Sequence, residues 1–350
     1  QLQSSAASDV YKRQPLFDHH KNKTVISDFE RATLFNKNFQ NVFKQDQNHQ
    51  SFKQPKKTCS KMKSFIISSG DINTSTKHLK DKIIRTPEKT PPYFIKHAIP
   101  SLVFPLLLIF NCSLALSEIP KQWKTSYVIP VYKKGIKHDP LNYRPISLTS
   151  TFSRIFEHII SQKIFNHLFD FNLLTPKQFG FVPHRSSGIQ LLTCLHTWLI
   201  TYLNNESVTV VYTDIKKAFD SVSHIRLLKI MTQYGFDDNL VNWLSEFLNS
   251  RTQSVLINNT LSDPLKIHSG VPQGGVIGPL LFLIYINDIT FNTHIQSEIS
   301  LFADDAKVFS KSETSLQITL DNIHEWLKTR KLDLNPKKCQ VLTINKNKPF

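Results

Sequence analysis

Asp304 and Asp305 stand side by side between two short apolar runs, 299–302 and 307–309, and a third acid, Asp214, follows the β-branched run Val208–Thr213. Carboxylates set between apolar strands are costly unless they lie at an exposed turn or serve a purpose. For the adjacent pair alone a plain solvated turn is an adequate account, because Asp is common in turns. The third acid changes that reading. If the strand before Asp214 pairs beside the hairpin, three carboxylates meet, and such a cluster repels itself unless a divalent cation neutralises it. Hard oxygen ligands select Mg²⁺, with Mn²⁺ as a substitute. Two such ions, about 3.5 to 4 Å apart, would activate an attacking hydroxyl and stabilise the leaving group of an in-line displacement at phosphorus, which is nucleotidyl transfer. Neighbouring side chains on extended backbone point to opposite faces, which ranks Asp304 and Asp214 as the main ligands and Asp305 as the weaker one.

Two strands and a tight turn in one sheet must hold these acids. The run 208–212 reads as a continuous strand, and the pieces 299–302 and 307–309, with Ala303, Asp304 and Asp305 between them, have the separation of a hairpin. Around them the pattern alternates. Helices are expected over 152–169, 190–203, 226–234, 240–248 and 279–288, and further strands over 128–132, 254–258 and 265–268. This is a mixed α/β organisation without repeats.

With 350 residues and 40% hydrophobic content the chain can bury one large or two modest cores, which excludes a disordered polymer or a small disulfide scaffold. Its 43 Lys and Arg against 27 Asp and Glu give +16, a surplus that points to a polyanionic partner, although a basic surface for solubility or for a membrane face has the same signature. Cys59, Cys112, Cys194 and Cys339 are too scattered for a zinc site and read as free thiols in a reducing compartment. The apolar stretch 102–110 contains Pro105 and is followed by Asn111, so it reads as a buried helix too short to cross a bilayer, and no membrane partner is expected. Residues 1–14 have the look of an adapter-derived scar. Residues 15–90 read as a basic, loosely ordered lead-in with one amphipathic stretch at 29–43, and 91–350 as the organised domain.

Taken in order along the chain, several motifs resemble those of the reverse transcriptases of non-LTR, LINE-type retrotransposons. Phe302, Ala303, Asp304 and Asp305 are similar to the catalytic hairpin of that family, and the run 214–222, with Asp214, Phe219 and Asp220, to its first carboxylate motif. The run 270–288, with Gln273, Gly274 and Gly278, resembles the motif between them. Asn142 to Leu148 around Arg144, and 178–186 around Arg185, are similar to the fingers motifs, and 334–338 to the motif after the hairpin. The ordered set covers roughly 117–344.

This resemblance implies an α+β right-hand polymerase fold of fingers and palm, with an antiparallel palm sheet and a thumb that lies largely beyond Phe350. It implies RNA-directed DNA polymerase activity with two Mg²⁺ ions held by Asp214, Asp304, Asp305 and the carbonyl of Ile215. Phe219 would act as the steric gate against a 2′-hydroxyl, with a core aromatic as the alternative. Gln273 and Gly274 would lie beneath the incoming nucleotide, where a missing side chain permits close backbone approach. Arg144 and Lys133 would hold the triphosphate, and Lys338 would protonate the leaving pyrophosphate, with solvated surface charges as the alternative for each. Arg185 is a candidate nucleic-acid contact, and Arg251 has either a structural or a nucleic-acid role. The implied partners are an RNA template, a DNA primer, deoxynucleoside triphosphates and an upstream endonuclease domain of the same polyprotein. The implied location is intracellular: nuclear during target-primed synthesis and otherwise a cytoplasmic ribonucleoprotein.

Three departures stand out: Gly275 where the family usually has serine, Ile277 where leucine is usual, and Val182 where arginine is common. None touches the acids. Two rivals share most of these features: an intron-encoded reverse transcriptase, and an inactive truncated copy that only binds nucleic acid.

Overall fold

The computed structural model describes residues 14–43, 61–81, 83–291 and 296–345, so all but Gln14 of the adapter-like segment lies outside the described residues. In chain order the elements are β1 (Leu16–Asp18), β2 (Lys23–Val25), α1 (Asp28–Gln40), α2 (Ser69–Thr76), α3 (Pro92–Leu116), β3 (Thr125–Tyr132), β4 (Tyr143–Leu148), α4 (Thr151–Asp170) and α5 (Ser187–Leu203). There follow β5 (Val208–Thr213), α6 (His224–Gln233), α7 (Asp238–Leu248), β6 (Thr252–Ile257), β7 (Thr260–Leu261), β8 (Leu265–Lys266), α8 (Gly278–Ile286), β9 (Glu298–Phe302), β10 (Asp305–Ser310), α9 (Glu313–Thr329) and β11 (Gln340–Ile344). The chain divides into two compact units. The first takes its described residues from Gln1–Gln45, Lys63–Ile164 and Asp237–Gly278, and the second from Asp46–Met62, Phe165–Phe236 and Pro279–Phe350.

In the first unit β4, β3, β6 and β7 lie side by side, with β8 also on β6. The β3–β6 pairing is parallel and the β3–β4 pairing antiparallel. Helix α1 is started by Ser27, whose hydroxyl accepts from the Glu30 N–H, with Asp28 and Glu30 in the first turn where the helix dipole favours acids. Its Leu34, Phe35 and Phe39 are buried against Val128, Tyr143, Val255 and Ile257 of the sheet, and Phe35 meets the Tyr143 ring edge-on at 4.9 Å. Asn36 locks the docking: its amide donates to Ser262 Oγ at 2.9 Å and its carbonyl accepts from Gln253 at 3.0 Å. The expectation of a loosely ordered lead-in therefore needs correction: the amphipathic stretch read at 29–43 is a helix whose apolar stripe covers one face of a sheet, and the polar average of the rest hides the paired strands β1 and β2 and a second helix begun by a Ser68–Asp71 capping box.

A second correction concerns α3. The helix runs unbroken for 25 residues through both Pro100 and Pro105, so the argument that its apolar stretch is too short for a bilayer fails. By length and composition it is able to cross a membrane. One face is nevertheless committed to the unit: Phe110 stacks on Phe156 at 4.7 Å, and Ser113 Oγ accepts from the Trp243 indole at 3.1 Å.

The second unit is built on an antiparallel sheet in the order β11-β5-β10-β9. Helix α5 covers one side with Cys194 and Trp198 against Val208, Val210 and Phe309. Helix α8 is buried along its whole length from Leu280 to Ile286, as its uninterrupted apolar run requires. Asp288 beyond it forms an ion pair with Arg330, both fully buried, and Tyr285 donates its hydroxyl to the Arg330 carbonyl. Such a pair stabilises only while both partners are present, so it ties the end of α8 to the end of α9.

Candidate active site

Strand β5 ends at Thr213, paired with Ala306 of β10, so Asp214 emerges at the same end of the sheet as the β9–β10 hairpin. The hairpin turns on two residues, Ala303 and Asp304, because Asp305 already pairs with Phe302. Ala303 takes φ 53°, a left-handed conformation that costs a residue with a Cβ of order 1 kcal/mol or more and is found where surrounding structure enforces it. The enforcing segment is 177–180. It adds along the outer edge of β9 through Phe179 N–H to Leu301 O at 2.8 Å and Leu301 N–H to Lys177 O at 2.9 Å. Gln178 Oε1 accepts from the Ala303 and Gly180 N–H groups, each at 2.9 Å. A Cβ on Gly180 would lie 2.4 Å from the Ala303 nitrogen, so only glycine admits this approach.

The three carboxylates each offer an oxygen within 4.8 Å of the others. Burial is the largest cause raising the pKa of Asp304 and Asp305 above the ordinary carboxylate value; for Asp304 the Asp305 and Asp214 charges add to it against a backbone hydrogen bond and Lys338, and for Asp305 the Asp214 charge adds to it against Lys338 and Lys307. Asp304 and Asp305 are thus kept from ionising freely, first by burial and then by neighbouring acids, and the cluster's donors are all hard oxygens. Both properties fit a divalent cation.

Asp214 is held from behind. Asn335 donates its side-chain amide to Asp214 Oδ2 at 3.0 Å and its backbone N–H to the Asp214 carbonyl at 2.8 Å. Lys216 N–H donates to Asp333 O at 2.7 Å, so Ile215 and Leu334 face each other across a short antiparallel bridge whose bonds come from their neighbours. The Ile215 carbonyl is therefore not consumed by that pairing. Lys338 reaches both Asp214 oxygens, at 2.7 and 2.6 Å. The lysine assigned to proton donation is thus at the acids, and in this state its ammonium rests on one of the ligands.

Phe219 lies in a single helical turn, Ala218–Ser221, that follows a left-handed Lys217. Its ring is stacked on Phe282 at 4.5 Å and meets Phe181 edge-on at 6.1 Å. One face is thus fixed by the core while the residue as a whole is only half-buried, an arrangement in keeping with both a packing and a gating role.

The first unit gathers Lys133, Arg144, Gln273 and Gly274, all four expected substrate residues in that unit, around one open cavity of about 460 Å³, with Pro145 and Ile146 supplying apolar wall. Arg144 on β4 pairs with Val131 of β3, two residues from Lys133. Gly274 has φ +110°, and a Cβ there would lie 2.5 Å from the Ser147 carbonyl; Ser147 N–H in turn donates to Gln273 O at 2.8 Å.

The expected nucleic-acid contact at Arg251 is corrected. Arg251 is 2% exposed: its guanidinium lies 4.6 Å over the Phe247 ring and donates to the Phe247 carbonyl, so no phosphate reaches it. Arg185 turns Nη1 onto the carbonyls of Thr175, Pro176 and Gln178 and so braces the segment that clamps the hairpin. Gln178 and Asn335 are the site residues to which the sequence reading gave no role. Both lie inside recognised motifs, and a short amide beside a glycine or a turn is the only signal either offers.

Three acids at one end of an antiparallel sheet fit a divalent-cation site able to serve phosphoryl transfer, and comparison with known proteins narrows the class. Residues 131–350 match the family model for reverse transcriptase (RNA-dependent DNA polymerase). The RNA-directed DNA polymerase from mobile element jockey of Drosophila melanogaster is 31% identical over 253 residues, which is 68% of this chain and 27% of that protein. The Pol polyprotein from type-1 retrotransposable element R2 of Popillia japonica is 24% identical over 244 residues, 65% of this chain and 33% of that protein. Among solved structures, telomerase from Candida tropicalis in complex with a fragment of telomeric RNA superposes with a TM-score of 0.50 at 12% identity, covering 69% of this chain and 45% of that one, a likeness of fold. The chain belongs to the reverse transcriptase family, in its non-LTR retrotransposon branch. It spans about a quarter of the length of the jockey-type relatives.

Proposed function

We propose that this chain is the catalytic portion of an RNA-directed DNA polymerase that extends a DNA primer on an RNA template with deoxynucleoside triphosphates. The observation that carries the proposal is the convergence of Asp214, Asp304 and Asp305, with oxygens within 4.8 Å, in a chain of this family. In this reading the antiparallel four-stranded sheet is the palm and the first unit contributes the fingers. Asp214 and Asp304 would hold two Mg²⁺ ions, with Asp305 and the Ile215 carbonyl as lesser ligands. When bound, the ions supply charge neutralisation at the transferring phosphoryl group and activation of the primer hydroxyl.

The protein's own groups do the rest. Asn335 and the Ile215–Leu334 bridge fix the direction of the Asp214 carboxylate, and Gln178 fixes the turn that presents Asp304. Lys133 and Arg144 bind the triphosphate, Arg through paired N–H donors, while Gln273 and Gly274 give the base a flat backbone surface. Lys338, released from Asp214, is a proton donor for pyrophosphate. Phe219 discriminates against the 2′-hydroxyl by bulk, since its ring cannot retreat past Phe282. An endonuclease segment elsewhere in the same polyprotein, and a nuclear site of action, belong to this proposal for the whole protein.

The test is extension of a labelled DNA primer on an RNA template by the full chain with Mg²⁺ and either deoxy- or ribonucleotides. Template-directed extension with deoxynucleotides alone supports the reading. Binding of the primer–template without extension under all metal conditions identifies a binding remnant, and equal use of ribonucleotides removes the gate assignment.

A further inference from the structure

Glu157 lies in the middle of α4 with 0% exposure, a position that an acid almost never holds without partners. Every hydrogen bond it makes is one that an ionised carboxylate accepts. Oε2 takes the backbone N–H groups of Val276 at 2.8 Å and Ile277 at 3.3 Å, and Oε1 takes the Ser153 hydroxyl at 2.8 Å. Two of these donors belong to the loop that carries Gln273 and Gly274 into the cavity beside Lys133 and Arg144. Gly275 sits between them, and a Cβ there would lie 2.9 Å from Glu157 Oε2, so the bare glycine lets the carboxylate come up against the loop.

The counter-charge is also present. Arg251 is buried, its Nε and Nη2 have no hydrogen-bond partner among the described residues, and the nearby Glu157 charge favours its ionised form against the burial that draws its pKa down to about 10. A buried carboxylate and a buried guanidinium that do not touch are an expensive way to hold a helix on a loop if packing were the only purpose. They are a precise way to hold backbone N–H groups, because charged acceptors make shorter and stronger bonds than neutral ones. The loop is gripped on its other side by Ser147, which donates to the Gln273 carbonyl.

We propose that Glu157, balanced by Arg251, is the positioning residue of the nucleotide cavity: its carboxylate fixes the loop from Gln273 to Ile277 and so sets the backbone on which the incoming deoxynucleotide rests. This inference depends on the reading of that cavity as the nucleotide site. It also accounts for Arg251 without any contact to nucleic acid, and for Gly275 as room for a carboxylate rather than as freedom of the chain.

The test measures binding of 2-aminopurine deoxynucleoside triphosphate by fluorescence, and the KM and kcat of primer extension, for the full chain and for Glu157→Gln and Ser153→Ala. Glu157→Gln keeps the shape but gives up the charged acceptor, and should raise nucleotide Kd and KM about tenfold. Ser153→Ala removes only the inner bond to Oε1 and should raise them about threefold, with the fold intact. A purely architectural role predicts otherwise, since loss of folded protein lowers kcat in proportion to the folded fraction and leaves KM alone. Unchanged nucleotide Kd and KM in both variants overturn the inference while leaving the polymerase reading in place. A parent chain that binds no nucleotide overturns both.

Discussion

Replacing Asp304 by Asn should make the metal-free chain more stable and the enzyme inactive. Asp304 faces two carboxylates whose oxygens come within 4.8 Å and one ammonium, Lys338, so about one negative charge is left uncompensated. Two unit charges at about that distance repel by roughly 3.5 kcal/mol at an effective dielectric of 20 and by roughly 0.9 kcal/mol in water. The partly exposed turn lies between these limits, so the substitution should gain about 1 to 3 kcal/mol in chelator, or roughly 2 to 4 °C per kcal/mol in a unit of ordinary domain size. Mg²⁺ reverses the order, because a cation that binds only the folded parent stabilises it by mass action and the variant has lost a main ligand. Thermal unfolding of parent and Asp304→Asn, in EDTA and across a Mg²⁺ titration, reads both effects. A variant no more stable than the parent in EDTA, or one that gains as much from Mg²⁺, would refute the view of the three acids as an under-neutralised cation site.

The remaining expectations can be checked with the same chain. Because burial and mutual charge raise the pKa of Asp304 and Asp305, the folded state is favoured as pH falls through those raised values, while divalent-ion binding, which needs both ionised, is lost over that same window; Mn²⁺ titrations at several pH values should show the loss beginning above the usual carboxylate range. Among single Ala substitutions, Asp214 and Asp304 should be more damaging to extension than the exposed Asp305. Asn335→Ala should weaken divalent-ion binding about tenfold by freeing the Asp214 carboxylate, with little change in thermal stability. Phe219→Ala should admit ribonucleotides and, by unstacking Phe282, cost about 2 kcal/mol of stability. Arg251→Met should leave the salt dependence of RNA binding unchanged, whereas loss of a true phosphate contact would reduce its slope by about one.

The parts of the site that could be read from sequence are those whose signal is local. Val208–Thr213 is a strand because β-branched residues, broken only by the equally strand-favouring Tyr212, fill it, and the hairpin is recognisable because two apolar pieces are separated by the length of a tight turn. Asp214, Asp304 and Asp305 follow from where those strands end. What escaped depends on burial and on partners far along the chain. Arg251 looks like any basic residue in a basic protein, and only packing under Phe247 shows that it never meets solvent. Glu157 looks like an ordinary helical acid between Phe156 and His158, and its role comes from N–H groups more than a hundred residues away. Pro105 makes the apolar stretch read as short, yet α3 runs through it and through Pro100 for 25 residues. The apolar spacing at 29–43 marks α1 as a helix, but that Leu34, Phe35 and Phe39 dock it on Val128, Tyr143, Val255 and Ile257 depends on partners far along the chain.

The central claim is that these three carboxylates drive RNA-templated synthesis of DNA, and single-turnover extension of a primer on RNA by the parent and by Asp304→Ala, across a Mg²⁺ titration, addresses it most directly. Extension by the parent that rises with Mg²⁺, and none by the variant at any Mg²⁺ concentration despite equal primer–template binding, is the result the account requires. Extension by Asp304→Ala at the parent's rate would contradict it.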